Sequence, residues 1–181
     1  MNSGCFTVSI FLIFSIISLL VGCDEKVRNS NPVTPVGGVG LRAAEFSLID
    51  IDGEILTLSE YSGSVIILDF WATWCPPCVN EIPVYNDLMA TYGNQGLIVI
   101  GLSVDTAGKS VVKSFRNNNP MNYRVALADN DTKTFYQSCV PANRRGYIPY
   151  TFVIDRQNII RNVYVGYRNK GVFEGAIAPL L

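Results

Sequence analysis

Hydrophobic and polar positions follow three regimes along the chain. Residues 6–21 (FTVSIFLIFSIISLLV) are an uncharged apolar run, as long as the apolar part of a secretory signal and short of a full membrane span. Residues 24–40 (DEKVRNSNPVTPVGGVG) are rich in Asn, Pro and Gly and have no apolar periodicity, which reads as a flexible tether. A coil of that length reaches about 20–25 Å on average. Regular patterning starts near Glu45, where two short strand-like runs flank Asp52-Gly53, a hairpin signal. Residues 65–70 (VIILDF) form a continuous apolar run, the pattern of a central strand covered on both faces. From Cys75 onward, Cys78, Ile82, Tyr85, Met89 and Tyr92 recur at helical spacing, and Pro83 is expected to kink that helix. Further on, 97–104 reads as a strand, 109–118 as a helix, 123–128 as a strand and 132–138 as a short helix. Residues 151–155 and 159–165 read as two strands, and 172–181 as a final helix. Strands alternating with helices, then an adjacent strand pair, predict one α/β domain over 41–181. Its central, mostly parallel sheet is flanked by helices and carries an N-terminal β-hairpin extension.

Composition narrows the chemistry. The 181 residues are 49% apolar, enough for a real core. Fourteen basic and 15 acidic residues are mixed along the chain for a net charge of −1, and no basic stripe points to nucleic acid. Histidine is absent, which removes His-ligated metals, Ser/His and Cys/His dyads and imidazole acid–base catalysis. The chemistry must come from thiols, carboxylates, hydroxyls or lysine.

Of the five cysteines, Cys5, Cys23, Cys75, Cys78 and Cys139, only Cys75 and Cys78 have short, suggestive spacing. A Cys-x-x-Cys pair at a helix start places two sulfurs one turn apart, close enough to form and open a disulfide. The first sulfur faces the unpaired amides and positive dipole end of the helix, which favour the thiolate. Cys75 is therefore the expected nucleophile and Cys78 the resolving thiol. Pro76 and Pro77 remove two amide donors, so a moderately lowered Cys75 pKa of about 6.5–8 is expected. A zinc site would need two more ligands where only Cys139 remains, and haem attachment would need His where Val79 stands. A purely structural disulfide across so small a loop would add little stability. Asp69, the only charge in its apolar strand, is expected to be buried with a raised pKa. Glu81 lies one turn beyond Cys78, on the edge of the apolar stripe. Trp74 is expected at the rim of the site and Trp71 in the packing. Cys139 reads as an inert buried thiol, and Arg144-Arg145 as a solvated turn.

On the strand VIILDFWATWCPPC, the following Glu81-Ile82-Pro83 and the late segment Tyr147–Asp155 (YIPYTFVID), residues 42–181 resemble the TlpA/ResA-like branch of the thioredoxin superfamily. The resemblance implies a thioredoxin-like fold and thiol–disulfide exchange without cofactor or metal. It further implies a cis proline at Pro149 and the backbone of Ile148 offered to substrate. Asp69 stands at the thioredoxin position of a proton-relaying acid, and Glu81 where relatives keep a buried acid beside the disulfide. Tyr150 departs from the Thr common in relatives. Leu20-Val21-Gly22-Cys23 resembles a bacterial lipobox, which implies a signal peptide over 1–22, lipidation at Cys23 and Cys5 discarded. Residues 1–22 depart from a signal's usual positive opening in holding no Lys or Arg, and Asp24 resembles an inner-membrane retention signal. The expected setting is the cell envelope, with a lipid anchor on the periplasmic face of the inner membrane. Expected partners are protein disulfides and a membrane thiol donor. The direction expected is reductive, as in cytochrome c maturation. A thiol peroxidase is the alternative, because the Glu45–Asp105 stretch also resembles a peroxiredoxin-type redoxin domain. Leu68, however, occupies the place of that motif's proline. A copper-delivery module is a third class, disfavoured by the missing His.

Overall fold

The computed structural model describes residues 36–181, so the expected signal segment, the Cys23 lipidation site and the tether up to residue 35 lie outside it. The first strands, β1 (Ser47–Ile49) and β2 (Ile55–Thr57), form the expected hairpin. Asp50 Oδ1 closes its turn by accepting from the amides of Asp52, Gly53 and Glu54 at 2.9 Å each. The apolar run becomes β3 (Val65–Trp71), buried at every position as a doubly covered strand must be. Then follow α1 (Pro76–Tyr92), β4 (Leu97–Ser103), α2 (Lys109–Asn118), β5 (Arg124–Leu127), α3 (Asn130–Ser138), β6 (Tyr150–Ile154), β7 (Ile160–Val165) and α4 (Lys170–Ile177).

Five strands pair in the order β5-β4-β3-β6-β7, with β3 at the centre. β3–β4 and β4–β5 are parallel, whereas β3–β6 and β6–β7 are antiparallel. The sheet is therefore mixed but mostly parallel in direction, as expected: β3, β4, β5 and β7 run one way and β6 alone is reversed. The short link from Ile154 to Ile160 leaves no room for a crossover helix, so β6 and β7 pair antiparallel. Alternation along β3 sends Ile66, Leu68 and Phe70 into one core and Val65, Ile67 and Trp71 into the other, which also holds Cys75, Cys78 and Tyr85. Asp69 shares the parity of the second set.

Pro83 lies inside α1, as the helix reading placed it. One expectation shifts. Residues 36–40, read as the end of the tether, are held to the domain, with Gly40 N donating to Ile160 O at 2.8 Å. Gly38, at φ 76°, lies so close to Cys139 that a side chain there would collide with the Cys139 Cβ. Among the described residues, no helix is long and apolar enough to cross a membrane.

Candidate active site

Cys75 and Cys78 are joined by a disulfide, Cα to Cα 5.3 Å, at the start of α1. Cys75 is the N-cap in extended conformation, followed by Pro76 and Pro77 in the first helical positions. Neither proline has an amide hydrogen, so the first donor the helix offers is Cys78 N, and it points at Cys75 Sγ, 3.3 Å away. The helix terminus thus brings one amide, shared with Cys75 O at 3.0 Å, to the position where negative charge appears when the bond opens. Cys75 is 4% exposed and Cys78 1%, so a partner sulfur meets Cys75 first. The preceding loop is pinned from β4: Asp105 accepts from Thr73 N at 2.9 Å, Thr73 Oγ1 at 2.7 Å and Ser103 Oγ at 2.7 Å. Asp105 has no signal in the sequence that ties it to Thr73, 32 residues earlier.

Two acids sit in the elements on either side of the pair, Asp69 in β3 and Glu81 in α1. Asp69 is 3% exposed and Glu81 fully buried. Burial pushes the Asp69 carboxyl well up, while the hydroxyls of Thr151 and Tyr85 pull the other way. Burial also raises Glu81, Asp69 adds to the rise as a nearby like charge, and the Arg168 amide and Tyr85 hydroxyl oppose it. Four hydrogen bonds string these groups together. Thr151 Oγ1 donates to Asp69 Oδ1 at 3.0 Å, and Tyr85 OH stands 3.4 Å from Thr151 Oγ1. Tyr85 OH donates to Glu81 Oε2 at 3.1 Å, and Arg168 N to Glu81 Oε1 at 2.6 Å. Thr151, Tyr85 and Arg168 went unassigned in the sequence, although Tyr85 sits at an apolar-stripe position on α1.

Trp74 is exposed beside the pair, and Trp71 is buried against Phe115 at 5.5 Å between ring centroids. The Ile148–Pro149 peptide is cis, and Ile148 packs against the core that contains both cysteines. Cys139 is buried and unpaired, with burial raising its pKa. Arg144 and Arg145 are exposed, as a solvated turn requires, and Arg145 also donates to Ser138 O at 2.9 Å and Val140 O at 3.2 Å, satisfying carbonyls at the end of α3. Among the described residues, no cluster of His, Cys, Asp or Glu could hold a metal ion.

A mixed sheet with a redox pair at the start of α1 defines the class: this is a thiol–disulfide oxidoreductase with a thioredoxin-like fold. The chain belongs to the AhpC/TSA family, whose pattern matches residues 39–163. It is similar to the thiol-disulfide oxidoreductase ResA of Bacillus cereus, 31% identical over 142 residues that cover 78% of each chain. ResA of Geobacillus kaustophilus is 31% identical over 132 residues, 73% of this chain and 72% of that one. Among solved structures, a thiol:disulfide interchange protein DsbE from Chlorobium tepidum superposes with a TM-score of 0.70 at 30% identity, covering 78% of this chain and 96% of that one.

Proposed function

We propose that the protein reduces disulfides of exported proteins outside the cytoplasm, with Cys75 as nucleophile and Cys78 as resolving thiol. The observation that carries this reading is the Cys75–Cys78 pair capping α1, with the Cys78 amide on Cys75 Sγ. Cys75 thiolate attacks a substrate disulfide and releases one substrate thiolate; Cys78 then attacks Cys75 Sγ and releases the other. Two electrons pass to the substrate and the pair ends oxidised. Asp69 and Glu81 take up and return the proton of Cys78. Trp74 offers a flat contact surface, and Ile148 and Pro149 a backbone edge. In support of that edge, no hydrogen bond among the described residues engages the Ile148 amide or carbonyl.

The lipobox-like Leu20-Val21-Gly22-Cys23 after an uncharged apolar run supports a cleaved signal and a lipid anchor on the periplasmic face of a bacterial inner membrane. There a membrane thiol donor re-reduces the pair, since no reducing buffer exists outside the cytoplasm. An apocytochrome c awaiting haem is a substrate of the right chemistry. Insulin reduction with dithiothreitol as donor tests the exchange: wild-type protein turns over and Cys75→Ser does not. The potential of the pair tests the direction. A value near thioredoxin, about −270 mV, is expected, and one near DsbA, about −120 mV, would reverse the assignment to net oxidant.

A further inference from the structure

A proton is missing from the chain of groups that joins Asp69 to Glu81. Asp69, Thr151, Tyr85 and Glu81 make three successive contacts of 3.0, 3.4 and 3.1 Å. Each contact needs one hydrogen. With both carboxyls ionised, only the Thr151 and Tyr85 hydroxyls supply any, two for three contacts. Each hydroxyl then points outward to its own carboxylate, and the middle contact sets lone pair against lone pair. One added proton fills all three. Placed on Asp69, it gives Asp69 to Thr151 to Tyr85 to Glu81; placed on Glu81, every donor reverses. All four residues are at most 3% exposed, so solvent does not fill the gap cheaply.

We propose that these four side chains form a proton wire that holds one proton shared between Asp69 and Glu81, making the two acids a single base for Cys78. The proposal rests on the redox reading of the pair. Glu81 lies one helical turn beyond Cys78 on the same face of α1, and Asp69 joins it through Thr151 on β6 and Tyr85 on α1. Before resolution the acids carry one proton and one negative charge. Cys78 S–H gives its proton to this pair, which becomes neutral, and Cys78 thiolate attacks Cys75 Sγ as the substrate thiolate leaves. The wire moves charge toward Cys78 without moving a side chain across the core. Tyr85 and Thr151 act as positioning residues, because they reach the sulfurs only through the acids. The other groups facing the wire are Tyr123, edge-on to Tyr85 at 6.0 Å, Tyr164, opposite Thr151 on β7, and Arg168, whose amide binds Glu81. The first two stay neutral across the working range, since burial pushes both hydroxyls up.

The test is carboxyl carbon NMR of the oxidised full chain, in which neither cysteine titrates. In wild type, the Asp69 and Glu81 signals should each move in two steps, because both report the shared proton. Tyr85→Phe and Thr151→Val keep shape and charge but cut the wire, and the two steps should then draw together, leaving only the separation set by through-space repulsion between the acids. Thr151→Ser restores the hydroxyl and should restore the wild-type separation. Single-step curves in wild type overturn the proposal, as do variant curves that superimpose on wild type or Thr151→Ser behaving like Thr151→Val. Insulin reduction by wild type is scored separately. Two-step curves without turnover would sink the redox reading and leave the wire; turnover with single-step curves would sink the wire alone.

Discussion

The two cysteines divide their labour because one helix terminus treats them differently. Cys75 receives an amide hydrogen bond and the larger share of solvent, whereas Cys78 lies deeper, one helical turn before the buried Glu81. Removing the deeper sulfur should therefore leave attack intact and stop resolution. Cys78→Ser protein mixed with a disulfide peptide is expected to accumulate the Cys75 mixed disulfide, seen as an added peptide mass after acid quench. Rapid release of the peptide by Cys78→Ser would show that another group resolves the adduct. The sequence made the roles of both sulfurs readable, because spacing, helix periodicity and prolines act locally. It left Glu81 half-read. A helical glutamate on the edge of an apolar stripe is ordinarily solvated. What buries Glu81 comes from far along the chain: Arg168, 87 residues on, covers one oxygen with its amide. No local pattern carries that information.

Elements were legible to within a few residues wherever periodicity was strong, as in β3, α1 and α2. What the pattern did not carry was how loops are tied to neighbouring strands. Asp105, just past β4, is the main instance. Its carboxylate takes three hydrogen bonds, two from Thr73, and so fixes the turn that leads β3 into the Cys75 cap. Asp105→Ala would leave the Thr73 amide without its partner, at a cost of about 1–3 kcal/mol. The expected result is a lower urea midpoint with unchanged m-value, together with faster alkylation of reduced Cys75 as its cap loosens. An alkylation rate equal to wild type, at the same stability loss, would mean the turn holds its shape without Asp105. The mixed sheet follows from the same limit. Hydrophobic runs reveal that 150–154 and 160–165 are strands, but a run has no direction, and only the short link between them decides that they return antiparallel.

Across the whole molecule, two sets of buried carboxylates oppose each other in pH. At the β1–β2 turn, burial works to raise Asp50, but the Glu54 amide, Arg124 and the Asp52 amide outweigh it and hold it below the ordinary range. At the turn between β6 and β7, burial of Asp155 is likewise outweighed by the Ile159 amide, Arg161 and the Gln157 amide. These lowered acids contribute stability above the unfolded value, about 3.9, and lose it as pH falls through their folded values. Asp69 and Glu81 have the opposite sign, because burial raises both. The folded chain then binds more protons than the unfolded one, so stability falls as pH rises from about 4 and levels off only beyond the raised folded values. Each tenfold difference in proton affinity costs about 1.4 kcal/mol above both values. Stability should therefore peak in mildly acidic solution, between the two sets. Glu81→Gln keeps an acceptor for the Arg168 amide and a polar partner for Tyr85 while removing the titration. It should raise the unfolding free energy at pH 8 by about 1–3 kcal/mol, leave it nearly unchanged at pH 4, and slow insulin reduction. Urea titrations of wild type and Glu81→Gln at both pH values measure this. Equal destabilisation at pH 4 and pH 8 would mean that Glu81 serves packing rather than proton storage. A gain confined to alkaline pH, with slower turnover, is what a fold carrying a buried charge for the sake of its chemistry must show.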